Sequence, residues 1–87
     1  MLIPYMEFDD NTIVTHNKPN KLGKVTVHIE TPDNIFCFKT CDILLPDITI
    51  EDRYGFTDEE MANWVRFCKN NSERIIYYAN RGGIANA

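Results

Sequence analysis

Four side chains in the first half of the chain are of the kinds that ligate metals or activate thiols: His16, His28, Cys37 and Cys41. A thiol becomes a nucleophile when a neighbouring imidazole takes its proton. If residues 24–30 and 35–41 pair across a turn at 31–34, His28 stands opposite Cys37, within ~5.5 Å at Cβ. That dyad needs a third group to orient the imidazole and a donor for an oxyanion, and the sequence names neither. A zinc site from the same four residues meets a geometric objection. Structural zinc ligands come in close pairs joined by a turn. Cys37 and Cys41 fall in an extended segment, which separates them by ~13 Å, too far for one tetrahedral ion. No metal, cofactor or catalytic residue is assigned. Cys68 lies on an apolar helical stripe and reads as a small buried hydrophobe.

Charge is distributed less evenly than thiols and imidazoles. Asp42, Asp47, Glu51, Asp52, Asp58, Glu59 and Glu60 are accompanied within residues 42–60 by one base, Arg53. The segment carries a formal charge of −6 in a chain of net −4, which leaves +2 elsewhere. No calcium-loop spacing is present. Asp58, Glu59 and Glu60 suit the first turn of a helix, where the dipole favours acids. Asp42, Asp47, Glu51 and Asp52 have no such local reason, and they are the expected partner-binding residues. Lys18, Lys21 and Lys24, with His16, form a small basic loop over 16–24, a possible contact for phosphate but more commonly solubilising surface.

The elements that must position these groups divide near residue 56. Residues 2–8 and 12–16 read as strands around the turn chemistry of Asp9-Asp10-Asn11. In 24–30, Val25, Val27 and Ile29 alternate with Thr26, His28 and Glu30, the pattern of a half-buried strand. Thr31-Pro32-Asp33-Asn34 suits a type I turn. That register sets Ile29 opposite Phe36 and Val27 opposite Phe38, all on one face. The return strand runs through Cys41 towards Leu45, where Pro46 ends it. Ile48 and Ile50 add a short extended segment.

Thr57-Asp58-Glu59-Glu60 fits a capping box, with Phe56 and Met61 as a hydrophobic staple. Met61, Trp64, Val65, Cys68, Ser72, Ile75, Ile76 and Ala79 then keep one stripe in phase, which favours one helix over 58–80. Asn70-Asn71-Ser72 is its weak point, a place where a second helix could begin. Gly82 and Gly83 stop it, and Ile84 is positioned to pack back on the last turn.

These elements predict an α+β fold, an antiparallel meander of four to five strands over residues 2–50 packed on one amphipathic helix. Val25, Val27, Ile29, Phe36, Phe38, Trp64, Val65 and Ile75 are the expected core. The chain of 87 residues reads as a single domain, 1–87. Its composition, 44% hydrophobic and 25% charged, excludes wholesale disorder. No stretch approaches the ~20 apolar residues of a membrane span. Residues 1–8 lack the basic region of a signal peptide and read as part of the fold. The odd number of cysteines suits reduced thiols and a cytoplasmic protein. Richness in Asn, Lys and Ile suits a bacterial or phage source.

The function expected from this is non-catalytic: protein–protein contact, or self-association, through the acidic segment 42–60. Net negative charge argues against a nucleic-acid binder. The alternatives are a small thiol enzyme using Cys37 and His28, and a nucleic-acid module using the sheet and loop 16–24 with Tyr5 or Phe36 as stacking platforms. No small-molecule substrate is indicated.

Overall fold

The structure is a computed structural model that describes residues 2–83. Five strands follow one another across one antiparallel sheet: β1 (Ile3–Glu7), β2 (Ile13–His16), β3 (Val25–Asp33), β4 (Cys37–Leu45) and β5 (Thr49–Tyr54). A single helix, α1 (Asp58–Ala79), lies across β3 and β4 on one face. This is the expected α+β meander, with the last strand reaching Tyr54 and the helix ending one residue early. No helix among the described residues is long and apolar enough to cross a membrane.

The helix begins as its sequence dictates. The Thr57 hydroxyl accepts from the Glu60 backbone N–H at 3.1 Å, and the Glu60 carboxylate accepts from the Thr57 N–H at 2.8 Å. Phe56 and Met61 are both buried beneath this box. The helix passes unbroken through Asn70-Asn71-Ser72. Asn71 donates to the Phe67 carbonyl at 2.8 Å and accepts from the Tyr5 hydroxyl at 2.8 Å, so a poor helix former is fixed by contacts on two sides. After Asn80, Gly82 and Gly83 take positive φ. A Cβ on Gly83 would lie 2.6 Å from the Ile3 methyl, so glycine is required for residue 83 to approach β1 this closely. The expected packing of Ile84 lies outside the described residues.

The register of the β3–β4 hairpin differs from the expected one. Ile29 pairs with Cys41, Val27 with Ile43 and Val25 with Leu45. Paired positions sum to an even number, not the odd number that a turn at 31–34 requires, and every side chain of β4 changes face. Thr31, Pro32 and Asp33 extend β3 instead of turning. The reversal occurs at 34–36, where the Asp33 carboxylate accepts from the backbone N–H groups of Ile35 and Phe36, each at 2.9 Å. Cys37 enters β4 at φ 66°. Phe36 and Phe38, expected in the core, are consequently exposed.

The core forms between the helix and the inward residues of the strands. Val14, Val25, Val27, Ile29, Cys41, Ile43 and Leu45 meet Met61, Cys68, Ile75 and Ala79. Trp64 and Val65 are partly buried at its margin. Trp64 stands edge-on to Phe8, Phe56 and Phe67, with ring centroids 5.7–6.1 Å apart. The peptide bond between Leu45 and Pro46 is cis.

Candidate functional site

The helix covers one face of the sheet and leaves the other open. Alternation along each strand sends Val14, Val27, Cys41 and Ile43 inwards, so their neighbours point outwards. Two rows on the outer face cross four or more strands. One joins Thr15 of β2, His28 of β3, Asp42 of β4 and Asp52 of β5. The other joins Glu7, Ile13, Glu30, Thr40 and Tyr54. A bulge between Asp42 and Ile43 adds Glu51 to this face, where its carboxylate accepts from the Thr26 hydroxyl at 3.1 Å.

The strand charges are sorted by face. Glu7, Glu30, Asp42, Glu51 and Asp52 are on the outer face, with His28 as their only basic neighbour from the strands. His28 Nδ1 lies 2.6 Å from Asp42 and Nε2 lies 3.6 Å from Glu30. Lys39 and Arg53 belong to the opposite parity and turn towards the helix. Lys39 reaches Glu60 at 3.0 Å and Asp33 at 3.7 Å. Arg53 reaches Asp58 and the Phe56 carbonyl, both at 2.9 Å. The Thr57 N–H and then Lys39 hold the Glu60 carboxyl below its usual range. The N–H groups of Phe36 and Ile35 do the same for Asp33.

Asp42 and Asp52 are directly opposed across β4 and β5. Like charges in that relation oppose sheet formation. The Asp42 carboxylate is met by His28 Nδ1, whereas the Asp52 carboxylate is met by the backbone N–H of Arg53 at 2.9 Å. Beside them lies an apolar group at one end of the face: Phe38, and Phe36 edge-on to Tyr54 with centroids 5.6 Å apart. Gly55 permits this approach. At φ 83° a Cβ there would come within 3.3 Å of the Phe36 ring and 3.0 Å of the Lys39 side chain.

The four acids expected to bind a partner are thus partly gathered. Asp42, Glu51 and Asp52 share the outer face. Asp47 stands apart in the turn before β5, bonded to Lys24 at 2.6 Å. Each of the four has a local partner, contrary to the expectation that none would. Sequence reasoning missed Glu7 and Glu30, whose signal was their parity in β1 and β3.

The His28–Cys37 pair is not formed. Cys37 pairs with Asp33, five residues along β3 from His28, a separation of ~16 Å. The zinc candidates are also dispersed, because His16 and Cys41 are buried on the helix side and His28 is on the other. Among the described residues no three metal-ligating side chains converge. His16, read from sequence as part of the basic loop, is buried. Its Nδ1 donates to the Asn17 carbonyl at 3.0 Å, since a carbonyl only accepts, and its Nε2 has no partner among the described residues. Burial pushes the Cys41 and Cys68 thiols up to about 12. The aromatics and lysines of the nucleic-acid reading do not share a face. Tyr5 is buried, while Phe36 lies at the β3–β4 turn, the far end of that hairpin from Lys24.

Comparison with known proteins finds no matching family, no matching curated protein and no matching solved structure.

Proposed function

We propose that this chain is a non-catalytic binding module that presents the open face of its sheet to a basic surface on a partner protein. The observation that carries the reading is the sorting of strand charges. Five carboxylates face outwards, and the two strand cations, Lys39 and Arg53, are withdrawn to the helix side. Folding alone gives no reason to set Asp52 against Asp42. A basic partner does, because a surface of one sign speeds encounter and rejects acidic competitors. Phe36, Phe38 and Tyr54 add apolar area next to the carboxylates, the combination of anchor and charged rim found in protein interfaces.

The test is cross-linked capture from host extract with the full chain and with the triple variant Asp42→Asn, Glu51→Gln, Asp52→Asn. The wild type should capture a basic protein at low salt and release it as salt rises. The triple variant should lose that protein while melting within a few degrees of the wild type. A variant that melts far lower yet captures the same protein would show the carboxylates to be structural.

A further inference from the structure

Resting on the reading above, we infer that β5 receives an extended, lysine- or arginine-bearing segment of the partner as a sixth strand. The sheet has two edges, and they differ. β1 contains Pro4, which has no N–H to offer, and its pairing is interrupted by a bulge between Pro4 and Met6. β5 is six residues long, contains no proline, and is exposed at every position. Among the described residues nothing pairs with its outer side. An edge of this kind offers a line of backbone donors and acceptors to an incoming strand.

Charge selects the occupant. A second copy pairing through β5 would bring Glu51 and Asp52 against the same residues of its partner, which like-charge repulsion opposes. Arg53 cannot offset them from its place, because its guanidinium is held by Asp58 and the Phe56 carbonyl beneath the sheet. A basic segment meets no such conflict. On an added strand, alternate residues fall on the outer face. A lysine there continues the row of His28, Asp42 and Asp52, and an apolar residue farther along sits beside Tyr54.

The experiment uses a short fluorescein-labelled peptide of alternating lysine and valine, and the same peptide N-methylated at alternate backbone nitrogens. Both are titrated against the full chain, and backbone amide shifts are followed by NMR. The unmodified peptide should bind about tenfold more tightly than the methylated one, since only it can complete the ladder. Its affinity should fall as salt rises from about 50 to about 200 mM. Shifts should concentrate in 49–54. Equal affinity of the two peptides, with shifts spread over the outer face, overturns the edge and leaves the acidic-face reading standing. Saturable binding by neither peptide, or shifts confined to β1, also overturns the edge, and the capture experiment then judges the face separately.

Discussion

On the helix side of the sheet, Val14, Val25, Val27, Ile29, Ile43 and Leu45 have no solvent exposure, and the strand cations Lys39 and Arg53 each reach a carboxylate. On the other side of the sheet, Ile13, Phe38 and Tyr54 are between 39% and 55% exposed, and of five carboxylates two, Asp42 and Glu30, approach the single imidazole of His28. The backbone is common to both faces, so hydrogen bonding cannot account for the contrast. One face satisfies the requirements of folding, with apolar burial and opposite charges in contact. The other tolerates an opposed pair of aspartates and uncovered aromatic rings. Exposed apolar groups beside unbalanced charge are what the proposed binding to a basic partner would use.

The largest effects should separate the faces by stability. Ile43→Ala removes a fully buried side chain beneath the helix and should cost roughly 2–5 kcal/mol in denaturant melts. Phe38→Ala removes a larger side chain from the open face and should cost less than about 1 kcal/mol. Equal costs would mean that Phe38 is covered in solution and would break the contrast.

An intermediate effect should come from acid. Glu60 and Asp33 have folded pKa values below their ordinary ones. Their contribution is fully present above the unfolded values and is lost as pH falls through the folded ones. Melting temperature should therefore decline as pH falls below 4.5, the ordinary value for a glutamate carboxyl. Glu60→Gln should lower the neutral-pH melting temperature and flatten that decline. An acid limb unchanged in Glu60→Gln would assign the effect to other carboxyls.

The smallest effect should have the opposite sign. Asp52→Asn relieves the opposition to Asp42 and should leave stability unchanged or raise it by a few tenths of a kcal/mol. A clear loss, measured by the same melts, would show that the negative charge on the acceptor for the Arg53 N–H outweighs the repulsion, and that the Asp52 charge belongs to folding after all.

The helix was legible from Thr57 to Ala79 because its box, staple and stripe all agree. The β3–β4 hairpin was not, because residues 36–45 carry two apolar sets of opposite parity. Phe36 and Phe38 compete with Cys41, Ile43 and Leu45, and the turn chemistry of Pro32 and Asp33 favoured the aromatic set. The aliphatic set won by meeting three inward residues of β3 under the helix. Asp33 still makes turn bonds, two residues later than its sequence context implied. Of β5 only a fragment around Ile48 and Ile50 is legible, because Glu51, Asp52 and Arg53 show no apolar alternation on a strand exposed throughout. The acidic segment was visible as composition. Its division by face, and the pairing of Asp42 with His28, depended on the register and so could not be seen before it.

Cys41 on β4 and Cys68 on the helix sit at the seam between the two layers, and both thiols ionise only at about 12. Disulfide reagents are attacked by thiolate, so at neutral pH this pair stays silent while the layers are closed. Cys37, exposed at the hairpin turn, faces no such barrier of access. The molecule therefore contains its own clock. One thiol is titrated at once and counts the chains. With reagent dilute enough that reclosing outpaces labelling, the other two follow at a rate set by the fraction of time the helix is lifted from the sheet, so a single labelling trace reads the opening free energy of the fold without an engineered probe.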